Sequence, residues 1–275
     1  MSTQELTSTN KGQVLSTSAK SQYTLPQILA IWFMAGAPMW ILCWVAYPAL
    51  SVGLAPLDAG LLRMKLLTLG MVWQFVLSMI ILYREEGNIR LGTISRRFWL
   101  THPKSARSGE TKKALWWWLI PLILLTAALG IGLRSMLVDV WTEIFPFFAE
   151  PEGFDFAVML APEMRAQLVG AWGLFILFFV SALFNTFLGE EFIFRGVLLP
   201  KMEGVFGKWD WVANGVMFSF YHLHQPWGIL ATLPADLIFA YSGKRFRSNW
   251  FPIILHSGQS IFLLFLILGL VLGLA

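Results

Sequence analysis

The residues best suited to chemistry are two glutamates and an arginine inside a hydrophobic run. Glu190, Glu191 and Arg195 lie in the stretch LGEEFIFR, and the segment 168–199 carries no other charged residue. Charged side chains in a membrane segment cost roughly 2.5–3.5 kcal/mol each on insertion scales, so they are retained where they pair or have a function. The three residues are therefore the first candidates for a site within a membrane.

Helical spacing gives the two glutamates different environments. Glu191 and Arg195 are four residues apart and share a helix face, which predicts an ion pair. Glu190 is turned about 100° away from that face, so we expect it to be the free carboxylate. A carboxylate in an apolar setting is suited to act as a general base near neutral pH. The alternative is that all three residues form a salt-bridged helix end at the membrane interface.

A histidine in the next apolar segment is a candidate partner for Glu190. His222 follows Phe218 by four residues, so the two side chains lie on one helix face. His224 would be turned about 200° from His222 in a regular helix. Because it stands beside the turn signal at Gln225 and Pro226, we expect His224 near the interface and outside the site. The alternative for a single membrane histidine is a structural hydrogen bond between helices.

A second candidate histidine, His256, lies early in the last apolar segment. Gln259 and Ser260 follow it by three and four residues, so both are expected to line its face. Two histidines and a glutamate can hold and activate a water molecule, with or without zinc. A glutamine or serine side chain can stabilise an oxyanion. The alternative is a histidine that only packs between helices, and the sequence contains neither HExxH nor GxSxG.

The composition is that of an integral membrane protein. The 275 residues are 57% hydrophobic and only 13% charged, whereas a soluble domain has about 25% charged residues. The mean hydropathy is +0.65 and the sequence pI is about 9.3. Basic cytoplasmic loops explain this pI better than a nucleic-acid partner does. The single cysteine, Cys43, excludes an intrachain disulfide and a cysteine metal cluster.

Apolar segments long enough to cross a bilayer predict an all-α, polytopic membrane helix bundle of about six to eight transmembrane helices. They lie at 28–57, 66–83, 114–133, 167–189, 211–235 and 250–275, and the fifth, which contains the turn signal, could continue as a further span to Tyr241. The run 168–199 would be about 48 Å long as one helix, so a bend is expected, with Gly189 a suitable place. Residues 1–24 are predicted to be a disordered cytoplasmic tail, and 25–275 the membrane-embedded domain.

The loops predict the orientation of the chain. The loop at 84–113 is strongly basic and is expected to be cytoplasmic, whereas the loop at 134–165 is mostly acidic and is expected outside. The N-terminus would then be cytoplasmic, and Glu190 would lie near the cytoplasmic leaflet.

At these residues the sequence resembles the CAAX protease and bacteriocin-processing (CPBP, or Abi) family of intramembrane proteases, over about 167–265. The family motif EExxxR is matched by Glu190, Glu191 and Arg195, FxxxH is matched by Phe218 and His222, and the third histidine falls on His256.

The resemblance implies that Glu190 activates the attacking water with His222 and His256 in the site. It also implies that Glu191 and Arg195 hold the geometry. Where the family usually has an oxyanion-stabilising asparagine, this chain has Ser260, with Gln259 beside it.

The resemblance implies an intramembrane endopeptidase acting near the cytoplasmic leaflet on membrane-associated or lipidated peptides. CAAX-type processing is its concrete form if the host prenylates proteins. The expected partners are a peptide or membrane-protein substrate and the lipid bilayer, not nucleic acid. The family is described both as a metalloprotease and as glutamate-dependent, so the resemblance leaves open whether the site binds zinc.

One alternative is a non-catalytic scaffold or bacteriocin-immunity protein of the same fold. Another is a proton-coupled transporter, although the sequence has no repeated halves.

Overall fold

The computed structural model describes residues 22–152, 154, 165 and 167–274. Helices make up the architecture, and no strand occurs in that part of the chain. The helices are α1 (Leu25–Leu50), α2 (Pro56–Glu86), α3 (Leu91–Arg97), α4 (Lys113–Gly132), α5 (Arg134–Ile144), α6 (Trp172–Lys201), α7 (Asp210–Tyr221), α8 (Ile229–Phe246) and α9 (Trp250–Val271). The predicted all-α polytopic bundle is confirmed.

Five of these helices, α1, α2, α4, α6 and α9, are long and apolar enough to cross a membrane. The sequence-based number of six to eight exceeds this because of the segment at 211–235, which contains two helices. The 12-residue α7 rises only about 18 Å. The 18-residue α8 contains Asp236, Lys244 and Arg245. The turn predicted at Gln225 and Pro226 separates them.

The turn between α7 and α8 is held by α1. The indole Nε1 of Trp40 donates to the carbonyl oxygen of Tyr221 at 3.0 Å, and that of Trp44 donates to Leu223 O at 2.8 Å. The thiol of Cys43 lies 3.2 Å from the carbonyl oxygen of His224. Irregular backbone at membrane depth is tolerated only where its polar groups find partners in the protein or line a wet cavity. These side chains supply such partners.

One end of the bundle, which we call the basic end, gathers the loop 84–113 and the loop between α8 and α9. The amide of Lys104 donates to Phe246 O at 2.8 Å, and that of Asn249 donates to Trp99 O at 2.8 Å. Lys201, at the end of α6, forms an ion pair with Glu85 at 2.8 Å. Basic side chains of three separate segments therefore meet on one side of the protein.

The chain enters α1 at this basic end. Tyr23 is buried and its hydroxyl bonds to Glu85, and the amide of Gly204 donates to Oε1 of Gln22 at 3.1 Å. The tail predicted at 1–24 is therefore wrong for residues 22–24, because the ring of Tyr23 has an apolar site to fill. Residues 1–21 lie outside the described residues.

The opposite end, which we call the acidic end, is formed by residues 51–56, the C-terminus of α9 and the segment around α5. The amide of Gly170 donates to Val271 O at 2.9 Å. Trp141 on α5 donates through its indole to Pro226 O at 2.8 Å, which ties α5 to the turn between α7 and α8.

Helix α6 is irregular at its centre, as the length of the run predicts. It widens into π-helix at Phe184–Leu188 and again at Phe192–Leu198, and Gly189 between them leaves helical geometry with φ −88° and ψ −83°. A Cβ atom at Gly189 would stand 2.5 Å from the carbonyl oxygen of Phe184 and 2.8 Å from that of Met71. The α2–α6 crossing therefore requires glycine here.

Replacing Gly189 by alanine is expected to destabilise the protein by about 1–3 kcal/mol, because two backbone oxygens must move to admit the methyl group. The apparent melting temperature in detergent would fall accordingly. Gly130→Ala in α4 is the matched control, since nothing lies within 4 Å of the added carbon and alanine favours helix. Equal melting temperatures for the two variants would contradict the close α2–α6 contact.

Candidate active site

Glu190 is a buried carboxylate surrounded by polar groups from three helices. Its side chain is 2% exposed. The hydroxyl of Tyr221, at the end of α7, donates to its Oε1 at 3.1 Å. The amide nitrogen of Asn185, in the orientation that satisfies both groups, lies 3.2 Å from Oε1 and 3.3 Å from Oε2. Nε2 of His256 on α9 lies 3.8 Å from Oε2.

Asn185 and Tyr221 are contacts that the sequence analysis missed. Asn185 precedes Glu190 by five residues, a spacing that places two side chains on different faces of an α-helix. The π-helix at Phe184–Leu188 brings residues five apart closer to one face, because its hydrogen bonds run from i to i+5. The sequence signal was only indirect: a polar residue in an apolar run five positions before the glutamate pair.

Glu191 is the centre of a second, drier network. Its Oε1 lies 3.3 Å from Nη1 of Arg195 and 3.0 Å from Nδ1 of His256. The ion pair predicted between Glu191 and Arg195 is therefore present, and both side chains are fully buried. The contact with Glu191 favours the tautomer of His256 that carries hydrogen on Nδ1, which leaves Nε2 to face Glu190. The two glutamates thus hold opposite sides of one imidazole.

Arg195 is enclosed by α7 and α8. Its guanidinium carbon lies 3.9 Å from the ring centre of Phe218, and Nη2 donates to the carbonyl oxygen of Asp236 at 3.4 Å. The carboxylate of Asp236 accepts a hydrogen bond from the hydroxyl of Ser219 at 2.7 Å. A buried charge needs such a set of contacts because desolvation is costly.

His222 joins the same group through Phe218. The ring centre of Phe218 lies 4.9 Å from that of His222 and 6.0 Å from that of His256. Nδ1 of His222 lies 2.9 Å from the carbonyl oxygen of Phe218. The structure therefore brings His222 beside the site, against the ring of Tyr221 at 4.9 Å, without a direct bond to Glu190 in the described residues.

The expected position of His224 is wrong. Its side chain is buried, and its ring centre lies only 5.5 Å from that of His222. The expectation of opposite faces assumed a continuous α-helix, but α7 ends at Tyr221 and His222–His224 form a 3₁₀ turn. Nδ1 of His224 is buried without a hydrogen-bond partner in the described residues.

A cavity of about 610 Å³ lies next to this group and meets it at Asn185. Asn185, Ser181 and Met71 line it, and Ser260 contributes from α9. Gln259 is exposed and does not line the cavity. A helical turn has 3.6 residues, so Ser260, four positions after His256, lies closer to the face of His256 than Gln259 does.

A catalytic zinc site would need a set of donors that the described residues do not bring together. They contain no group of three or more His, Cys, Asp or Glu side chains placed to hold a metal ion, whereas catalytic zinc uses three protein ligands. Nδ1 of His256 faces Glu191, and Nδ1 of His222 faces a backbone carbonyl. The donors as they lie here do not fit a catalytic zinc set.

One family model matches the chain, and it covers residues 171–262. Its description is Rce1-like: type II CAAX prenyl endopeptidase Rce1-like. No curated protein and no solved structure gives a significant match. The matched segment runs from the start of α6 into α9 and contains Asn185, the glutamate pair, Arg195 and both candidate histidines. It also lies within the segment 167–265 over which the sequence resembles the CAAX protease family, and that resemblance is confirmed.

Arg195→Met is expected to destabilise the protein by about 3–5 kcal/mol, because it leaves Glu191 buried without its cation. The double variant Glu191→Gln/Arg195→Met is expected to recover much of this loss, because neither charge then remains. Unfolding in detergent of the wild type, both single variants and the double variant measures the coupling energy. Additive losses would show that the pair does not stabilise the fold as its geometry indicates.

Proposed function

We propose that this polytopic membrane protein, with an Rce1-like CAAX endopeptidase segment at 171–262, is an intramembrane endopeptidase in which Glu190 activates the attacking water. The observation that carries the proposal is the placement of a buried carboxylate between Tyr221, Asn185 and His256, where Asn185 also lines a cavity. A carboxylate held by donors on several sides, in an apolar interior, is suited to move a proton at a fixed position.

The proposed reaction needs only water and the peptide. Glu190 takes a proton from a water molecule while the water oxygen bonds to the carbonyl carbon of the scissile peptide. The carbonyl π electrons move to oxygen and give a tetrahedral oxyanion. When the C–N bond breaks, the amine leaves with the proton held by Glu190, and a carboxylic acid and an amine result. One carboxylate thus serves as base and then as acid.

The surrounding residues have positioning roles in this proposal. Nε2 of His256 lies 3.8 Å from Glu190 and is suited to orient the water beside it. Glu191 and Arg195 hold His256 and keep their own charges paired, so Glu191 is unsuited to act as the base. Tyr221 fixes the carboxylate of Glu190 through a hydrogen bond at 3.1 Å. His222 would shape the wall of the site through Phe218.

We assign the oxyanion to the amide of Asn185 together with the hydroxyl of Ser260. Both side chains line the cavity, and the Asn185 amide is already within hydrogen-bonding distance of the catalytic carboxylate. Preorganised donors aimed at a developing oxyanion are among the largest contributions to catalysis. An amide from α6 would then replace the asparagine that the CAAX protease family usually carries at the position of Ser260.

The proposed substrates are membrane-associated or lipidated peptides, which can reach a site enclosed by helices from the bilayer. Removal of the residues after a prenyl-cysteine is the form of this reaction that the printed name of the matching family suggests for a host that prenylates proteins. An active site of this kind requires water, which the cavity can admit.

Glu190→Gln is expected to lower kcat by about 10²–10⁴-fold, because the amide cannot accept the proton from water. Proteolysis by the purified protein in liposomes measures the effect, with prenylated CAAX peptides and peptides of host membrane proteins as substrates. Glu110→Gln, on the exposed loop at the basic end, is the matched control. Unchanged cleavage by Glu190→Gln would reject Glu190 as the base, and full rescue of a host deletion by this variant would favour a scaffold.

The same assay with a zinc chelator separates two forms of the reaction. Retained cleavage would support water activation by the protein alone. Loss of cleavage that zinc restores would place the attacking water on a metal ion.

Asn185→Ala is expected to lower kcat by about 10²–10³-fold with a smaller change in KM, because it removes a donor needed most in the transition state. Gln259→Ala is the matched control, since this exposed amide lies one residue from Ser260 and outside the cavity. Steady-state kinetics of both variants, with melting temperatures as a check on folding, decide the point. An effect of Gln259→Ala equal to that of Asn185→Ala would overturn the assignment.

A further inference from the structure

A second cavity, of about 310 Å³, lies at the basic end of the bundle, apart from the proposed active site. Three basic side chains line it: Arg96 from α3, Lys104 from the loop after α3, and Arg247 from the loop between α8 and α9. Trp99 lies in the same wall, and no acidic residue is among the described residues that line the cavity. Its volume is within the range of about 300–1,000 Å³ that is typical of ligand sites. The cavity therefore has room for a polar group and a positively charged wall.

The protein itself neutralises this wall only in part. Arg96 forms an ion pair with Glu86 at 2.6 Å. Lys104 and Arg247 have no ion-pair partner in the part of the chain that the structure describes. These two positive charges are therefore available to an anion.

The backbone beside the cavity is left-handed at two positions. Trp99, with φ 55°, and Arg247, with φ 46°, are the two non-glycine residues with positive φ among those described. Each follows the C-terminal end of a helix, Trp99 after α3 and Arg247 after α8, and both line the cavity. This conformation is uncommon for a residue with a Cβ atom, and such strained positions cluster at active sites and ligand sites. Their meeting at one cavity is a second observation that favours a binding site.

The position of the cavity along the helices is that of lipid head groups. Arg247 comes three residues before Trp250, the first residue of the spanning helix α9. The amide of Lys104 donates to the carbonyl oxygen of Phe246 at 2.8 Å, which brings the loop after α3 to the same level. Trp99 is half-buried, and tryptophan is enriched at membrane interfaces. Because loops rich in Lys and Arg stay in the cytoplasm, we expect this interface to be the cytoplasmic one.

We propose that the cavity binds the head group of an anionic phospholipid, with Lys104 and Arg247 as the residues that contact its phosphate. Ammonium and guanidinium groups are the usual protein partners of phosphate. Basic pockets between membrane helices on the cytoplasmic side are suited to anionic head groups. A zwitterionic head group fits less well, because it brings a further positive charge to a cationic wall. Binding requires no proteolysis, so this inference is independent of the proposed function.

The cavity wall is also connected to the backbone of the glutamate pair. The backbone amide of Asn249 donates to the carbonyl oxygen of Trp99 at 2.8 Å. The side-chain amide of the same residue donates to the carbonyl oxygen of Glu191 at 3.0 Å. A head group bound across the cavity would hold the loop after α3 against the segment that contains Asn249. We therefore expect the bound lipid to stabilise the folded bundle.

Native mass spectrometry of the purified protein in detergent can identify the lipid that binds. With dioleoylphosphatidylglycerol and dioleoylphosphatidylcholine at equal concentration, we expect the first bound lipid to be phosphatidylglycerol by about tenfold or more. Lys104→Gln/Arg247→Gln is expected to lower this preference to about twofold or less, because each cation beside an anionic lipid contributes about fivefold in affinity. Lys104→Arg/Arg247→Lys keeps both charges and should retain the preference.

The matched control removes the same charge from the same end of the protein. Arg107 and Lys112 are exposed, belong to the loop after α3 and do not line the cavity. Arg107→Gln/Lys112→Gln is expected to leave the lipid preference unchanged. Phosphatidylglycerol should raise the melting temperature of the wild type and of this control above that in phosphatidylcholine. Lys104→Gln/Arg247→Gln should lose this increase, with an unchanged melting temperature in phosphatidylcholine.

Three results would overturn the inference. A wild type without preference for phosphatidylglycerol would show that the cavity does not select an anionic head group. Equal losses in the two glutamine pairs would show that the preference reflects overall charge. Displacement of the lipid by millimolar inorganic phosphate would identify a soluble phosphate as the ligand, whereas retention supports the lipid. Failure of Glu190→Gln to lower proteolysis would reject the proposed function without changing any of these binding results.

Discussion

The buried ion pair of Glu191 and Arg195 is the interaction on which the rest of the site depends. Neither side chain has exposed surface, and a charge in an apolar interior is tolerated only beside an opposite one. Because the pair fixes Oε1 of Glu191, it also fixes His256 and determines which ring nitrogen faces Glu190. The geometry at the proposed base is therefore set by a neighbouring acid that takes no part in the proposed reaction.

Features that depend on local geometry could be predicted from the sequence. The i, i+4 spacing of Glu191 and Arg195 required only a helical turn, and the uniform apolarity of five segments was enough to identify α1, α2, α4, α6 and α9. The break between α7 and α8 followed from the glutamine and proline at the turn. These predictions succeeded because neighbours along the chain decide them.

Other features of the site could not be predicted, because regular helix geometry fails where they lie. Asn185 meets Glu190 across a π-helical turn, and the ring of His224 comes beside that of His222 in a 3₁₀ turn. A pattern based on 3.6 residues per turn misplaces both.

The bonds from α1 to the turn after α7 connect a membrane-spanning helix to the backbone next to His222. Trp40 and Trp44 hold the carbonyls of Tyr221 and Leu223, yet α1 lies outside the segment 171–262 that resembles a known family. A thicker or thinner bilayer changes the tilt of a spanning helix. Tilt of α1 would then be transmitted through two indoles to the backbone beside His222, so bilayer thickness would bear on the geometry next to the proposed site.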